Sequence, residues 1–229
     1  TIIQQMCILF SILGYKENDK SLLTYISVIP NLQFELSKAK RWFKVKSNSI
    51  LLRLHEIGML EHSINNRTHI YWMHSVIAAA VREQQKKMLY ETARPFVDIV
   101  SEELNFNDQW GQGYKKAYLV PFSWSIADIM EEHWNSEKDS VFLIRLYYVC
   151  FECGNYAISN KLLDKVLEID LKGNDYAILV RDYKCKCDLL LKYEDPDGAI
   201  EALKEAANYL YDNSGYRRRF VYRYFESDW

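Results

Sequence analysis

Four of the five histidines, His55, His62, His69 and His74, fall in one stretch of the chain. An imidazole can bind a metal, carry a proton near neutrality or hydrogen-bond a phosphate. The first three lie on or near a short hairpin pattern and could gather there, but their spacing matches no helical or finger-type metal motif. From its neighbours alone, His74 reads as a residue that packs the hairpin against the helix after it. Cys150 and Cys153 form a CxxC, and Cys185 and Cys187 a CxC, which raises zinc. Both pairs sit in helical patterns, where side chains two residues apart diverge by about 200°, so the cysteines read as small apolar packing groups at helix interfaces. Lys38, Lys40, Arg41, Lys44 and Lys46 crowd one helix. A second basic run mixes Arg217, Arg218, Arg219 and Arg223 with Tyr216, Phe220, Tyr222 and Tyr224. At helical spacing its aromatics fall largely on an inner face, and Arg218, Arg219 and Arg223 on an outer one that could receive a partner. No GxxxxGK[ST] and no GxSxG occurs among the eight glycines, so no phosphate loop or nucleophile elbow is present and the chain is expected to be non-catalytic.

The chain has 229 residues, 49% of them hydrophobic, enough for one large or two ordinary domains. Its 29 Lys and Arg nearly balance its 31 Asp and Glu, which argues against a non-specific nucleic-acid binder. No apolar run is long enough to span a membrane, and the first residues lack the order of a signal peptide. Five scattered cysteines suit reduced thiols and a cytoplasmic setting. A start at Thr1 within an apolar helical pattern predicts a piece excised from a larger protein.

The elements that must position these groups follow from periodicity. Helices are predicted over 2–13, ending at Gly14, over 20–29 with Asp19 as cap and Pro30 as stop, and over 33–45. In residues 48–57, Ile50, Leu51, Leu54 and Ile57 form an apolar stripe and Gly58 ends the helix. Two β-prone runs, 59–63 and 69–73, flank the turn formers Asn65 and Asn66. A helix over 76–82 follows, with Ser75 as its N-cap. Helix, helix, helix, two-stranded wing, helix is the order of a winged-helix domain, predicted over 20–84, with 1–19 the end of a preceding helical domain.

Beyond residue 84 only helices are expected: 85–104 with a disturbance at Pro95, then the loop 105–113, then 114–134 with another at Pro121. Residues 141–153 and 157–169 form a pair about the turn Gly154-Asn155-Tyr156. Residues 176–193 and 199–211 form a second about Asp195-Pro196-Asp197-Gly198, and 216–228 begin a third. The fold class is therefore mainly α: a winged helix with a small hairpin, then an α-α superhelix over 85–229, truncated at its C-terminal side.

The pair about Gly154 resembles a tetratricopeptide repeat. Glycine, a polar residue and tyrosine make the turn, Ser159 stands at the small-residue position, and Leu163, Val166 and 167–170 follow in place. In the second pair Ala199, Leu203 and Ala206 fit, but Ser159 and Ala199 lie further apart than the roughly 34 residues of that repeat.

Residues 10–31 (FSILGYKENDKSLLTYISVIPN), 51–61 (LLRLHEIGMLE) and 71–76 (YWMHSV) are similar, in this order, to three segments of the NB-ARC, or STAND, signalling ATPases. The resemblance implies that Met73-His74 occupy a methionine, histidine, aspartate box, that Ser75 departs from its aspartate, and that His74 reaches the β-phosphate of bound ADP in a closed state. ADP or ATP would belong to the parent protein, with no cofactor in this piece. On this reading the chain is the regulatory and sensor part of such a protein. The winged helix touches an upstream nucleotide-binding domain, and the helical arm takes a protein or peptide trigger. Two other readings remain on the sequence: a DNA-binding winged-helix regulator with a helical effector domain, and a tetratricopeptide adaptor.

Overall fold

The computed structural model describes residues 17–105, 113–173 and 175–212, besides Gln5. The expectations for 2–13 and 216–228, and the candidates Arg218, Arg219 and Arg223, lie outside the described residues. Among those described are ten α-helices and a three-stranded antiparallel sheet. No described helix is long and apolar enough to cross a membrane. The chain divides into two compact units, 1–107 with 118–133 and 108–117 with 134–229.

In the first unit, α1 (Glu17–Ser27) leads by way of Pro30 and Asn31 to β1 (Phe34–Glu35), α2 (Leu36–Trp42) and α3 (Ser49–Glu56). The hairpin β2 (Glu61–Asn65) and β3 (Thr68–Trp72) follows, then α4 (Ser75–Gln85), α5 (Leu89–Leu104) and α6 (Val120–Ile129). Two expectations shift here. Asp19 is not a cap: α1 starts at Glu17, and Asp19 is an interior, buried residue paired with Arg53. The helix expected over 33–45 starts later because Phe34 and Glu35 pair with Tyr71 and Ile70, making β3 the central strand in the order β1-β3-β2. Two residues give almost no alternation to read, so this strand was invisible in the sequence.

Local chemistry explains the turns. Gly58, at φ 77°, ends α3: its N–H bonds His55 O at 2.8 Å and that of Met59 bonds Leu54 O at 2.8 Å, the two bonds of a Schellman cap. Met59 and Leu54, both buried, close it. The hairpin turns one residue later than expected, at Asn66 (φ 47°) and Arg67 (φ 67°), because Asn65 pairs with Thr68. Two positive φ values in a two-residue loop define a type I′ turn, whose hand matches the twist of the strands.

The first unit's core is aromatic and carries on past residue 84. Trp42 packs on Phe122 of α6 with centroids 5.0 Å apart, and Phe43 on Phe96 of α5 at 5.0 Å. The helix expected over 76–82 runs on to Gln85, and the one expected over 85–104 starts after a turn, at Leu89. Pro95 lies inside α5, and Pro121 marks the passage from the 3-10 turn Gly113–Leu119 into α6.

The second unit is built from helical pairs: α7 (Glu137–Glu152) with α8 (Tyr156–Gly173), and α9 (Tyr176–Lys192) with α10 (Pro196–Asp212). Ser136 and Asp139 open α7 with a reciprocal capping box. Gly154, at φ 76°, ends it with the Schellman pair Asn155 N–H to Cys150 O and Gly154 N–H to Phe151 O. Fully buried Ser159 lets α7 and α8 approach closely, and Ala199, Ala202 and Ala206 are the buried small residues of α10. Asp195-Pro196-Asp197-Gly198 is not a turn between helices. Asp195 accepts the Gly198 N–H and Pro196 begins α10. The reversal comes just before, at Glu194 (φ 57°), where Asp195 N–H bonds Leu190 O in the same cap geometry that Gly154 provides.

A side chain at Glu194 is held in the left-handed region without a glycine's freedom, at a cost of about 1 kcal/mol. Glu194→Gly should raise stability by about 0.5–1 kcal/mol in urea unfolding; a loss would contradict this role for the residue.

Candidate functional site

The junction between β3 and α4 presents His74. Tyr71 and Met73 are fully buried, so β3 is anchored in the core up to the residue before the histidine. His74 is itself exposed, not packed between hairpin and helix. Its backbone is extended (φ −63°, ψ 143°), and its Nδ1 accepts the Val76 N–H at 3.2 Å, so His74 is the N-cap of α4 and not Ser75. Across the junction, Asn31 holds both sides. Asn31, at φ 60°, donates its N–H to Met73 O at 2.8 Å and accepts the Ser75 N–H on Oδ1 at 3.0 Å. Ser75 is already the first residue of the helix, with its N–H satisfied by Asn31, so the extended residue before it is the cap. A ring that accepts through Nδ1 keeps its proton on Nε2, which is then a donor at the positive end of an 11-residue helix.

Three of the neighbouring cations, Arg53, Arg41 and Lys38, have partners within the first unit. Arg53, the one firm cation of α3, gives Nη2 to both carboxylate oxygens of Asp19, at 2.6 and 2.7 Å, and Asp19 is buried. On α2, Arg41 pairs with Glu103 of α5, which also accepts the Trp42 indole N–H at 2.8 Å. Lys38 Nζ lies 5.1, 5.6 and 4.5 Å from the ring centres of Trp42, Tyr118 and Phe122, a cation-π setting. Burial pushes its ammonium below the usual lysine range, against the opposing pull of Glu35 and Glu103. Lys40, Lys44, Lys46 and Arg67 are exposed.

The three other histidines do gather. His62 Nε2 and His69 Nδ1 are 2.9 Å apart, and the His55 ring centre is 5.4 Å from that of His62. No group of three His, Cys, Asp or Glu among the described residues is arranged to hold a metal ion. Cys150, Cys185 and Cys187 are buried, and burial pushes their thiols up to about 12, about 11 and about 11. Cys185 Sγ lies 3.4 Å from the Tyr148 hydroxyl on α7, while Cys187 Sγ lies 3.5 Å from Ala199 O on α10. The CxC residues thus face different helices, as helical geometry requires.

A feature unmarked in the sequence is a buried charged network in the second unit. Ser140 on α7 donates to Asp170 on α8 at 2.6 Å. Arg181 on α9 binds Asp182 Oδ1 through Nη2 at 2.6 Å and Asp170 at 3.4 Å. Asp182 is fully buried, and its Oδ2 has no hydrogen-bond partner among the described residues. Burial raises its carboxyl to about 7 despite Arg181, with Asp170 adding to the rise. Asp170 also lines a cleft of about 300 Å³ with Glu137, Lys172, Asp175 and Ile178. Only the i, i+1 charge pair Arg181-Asp182 hinted at this, and nothing in the sequence says that both turn inward.

Compared with known proteins, the chain matches no family model, no curated protein and no solved structure.

The raised carboxyl makes a pH prediction. The folded state holds the Asp182 proton more tightly than the unfolded chain, so this contribution to stability is full below about pH 3.8 and is lost as pH rises through about 7. In urea unfolding over a pH series, Asp182→Asn should gain on the wild-type chain by about 1 kcal/mol or more between these limits. Parallel profiles would refute the assignment.

Proposed function

We propose that this chain is a non-catalytic regulatory part of a STAND-type signalling ATPase. Residues 20–84 act as a winged helix that stabilises the closed, ADP-bound state, and the helical pairs act as a tetratricopeptide-like arm for a protein or peptide trigger. The supporting observation is His74: exposed, held by the cap bond of Nδ1, with Nε2–H left as a donor beside a helix N-terminus. A diphosphate presented by an upstream nucleotide-binding domain would meet a neutral donor of fixed orientation there. Trigger binding then acts by its differential affinity for closed and open states.

The DNA-binding reading draws less support. The helix in recognition position, α3, has Arg53 as its one firm cation, and that is paired with Asp19, while the exposed Lys40, Lys44, Lys46 and Arg67 lie outside α3. The adaptor reading rests on the helical pairs alone and gives His74 no role. The small-residue crossing at Ser159 and the glycine cap at Gly154 support the tetratricopeptide-like description of the first pair.

The test keeps the fold and removes the imidazole. Asparagine is a good N-cap, so His74→Asn should leave the start of α4 intact, whereas His74→Ala should cost about 1 kcal/mol of stability. In the parent protein, whose open frame should encode GxxxxGK[ST] upstream of Thr1, His74→Asn should speed release of a fluorescent ADP about tenfold or more, the worth of a hydrogen bond to a charged group. Unchanged ADP release, or a parent without that loop, would overturn the proposal.

A further inference from the structure

His62 and His69 occupy one face of the hairpin on neighbouring strands. His62 lies opposite Tyr71 and Ile64 opposite His69, so the two imidazoles are diagonal neighbours. Their ring planes differ by 11°, the centres are 5.1 Å apart, and Nε2 of one is 2.9 Å from Nδ1 of the other. Nearly parallel rings that approach this closely through their nitrogens meet edge to edge, by an N–H···N bond. Such a bond holds one proton. A first added proton can settle on the outer nitrogen of the donor ring and leave the bond intact. A second must take the bridging nitrogen of the acceptor ring, so that two N–H groups confront each other and the bond is lost.

The surroundings offer little relief for that second charge. From α3, His55 faces His62 with its Nδ1 2.8 Å from Leu60 O, an acceptor that leaves this ring nitrogen protonated. The Tyr71 ring lies 4.7 Å from that of His62, and its hydroxyl donates to Asn48. Glu61 and Glu35 point to the other face of the sheet, since they pair with Trp72 and Ile70. Glu56 at the end of α3 and Arg67 at the turn are exposed, and Arg53 is held by Asp19. The charges that act on His62 are those of His69 and His55.

We propose that His62 and His69, with His55 against them, form a proton-sensitive latch that holds the edge strand β2 on β3 while the pair keeps one bridging proton and loosens it when a second proton binds. Burial, with His69 and then His55 adding to it, holds His62 below the usual histidine value of 6.5. The sign follows: a lowered folded value makes the latch fully effective above about pH 6.5, and its contribution is lost as pH falls through the lower folded value. Among the described residues β2 is an edge strand that pairs with β3 alone, so it can loosen without dismantling the core.

Hydrogen–deuterium exchange on the full 229-residue chain, at about pH 7.5 and about pH 5.5 with intrinsic rates corrected, tests the latch. Amides of 61–65 and 68–72 should lose about tenfold protection at the lower pH, while those of α5 should not change. In His69→Gln, which carries no charge whether its amide donates to His62 or turns to accept from it, the loss should shrink to about twofold or less. Undiminished protection in the wild-type chain at the lower pH, or an equal loss in His69→Gln, would overturn the proposal. Should the variant's hairpin be unprotected at both pH values, side-chain NMR of the wild-type chain decides. His62 must titrate below about 6.5; titration at or above that value refutes the latch.

Discussion

Glu103 is 7% exposed, accepts the Trp42 indole N–H and pairs with the Arg41 guanidinium. A carboxylate this far from water is tolerable only with such partners, and removing one leaves a charge or donor stranded at a cost of roughly 1–3 kcal/mol. This constraint fixes which face of α2 turns toward α5. Trp42 and Phe43 then enter the aromatic core beside Phe96 and Phe122, and Lys38 is drawn over the rings. The basic residues of α2 thus serve two purposes: some hold the fold together, and the exposed ones remain for solvent or a partner.

The position of α2 settles the strand just before it. Phe34 and Glu35 join β3, which becomes the central strand with partners on both sides. A strand secured in this way delivers its end at a defined place: Met73 is buried, and the next residue must turn out to begin α4. Asn31 closes the junction from the other side with two hydrogen bonds, and the left-handed backbone it needs is one that asparagine accepts more readily than most residues. His74 is therefore held both by its own cap bond and by the strand that precedes it, which is the kind of support a ligand-facing side chain requires.

In the second unit the organising constraint is close approach of helices. Ser159 and the alanines of α10 allow it, and the caps at Gly154 and Glu194 reverse the chain in the shortest way. Against this regular packing, Asp182 stands out as a buried acid with one unpartnered oxygen, carried by a helix that is otherwise apolar or cysteine-lined on its inner side. Burial raises its carboxyl, and Arg181 beside it opposes that rise.

What could be read in the residues was whatever is encoded within about one helical turn or one strand repeat. The glycine stop of α3, the existence of the hairpin, the glycine turn at Gly154 and the small residue at Ser159 all have local signatures, and each is present; of the stripe expected on α3, Leu51 and Leu54 are buried, while Ile57 caps the helix and is exposed. The mainly α class with a small early sheet and paired helices later follows from them. Tertiary structure alone decided the partners: that Asp19 meets Arg53 rather than capping a helix, that β1 exists because β3 offers it a ladder, and that Asn31 binds the Ser75 N–H where the helix begins one residue after His74. It also decided that His62 and His69 share a proton and that Asp182 faces inward. The physical reason is the same in each case. These bonds join residues far apart in the chain or depend on burial, and neither distance in space nor exclusion of water is written in the local pattern of a sequence.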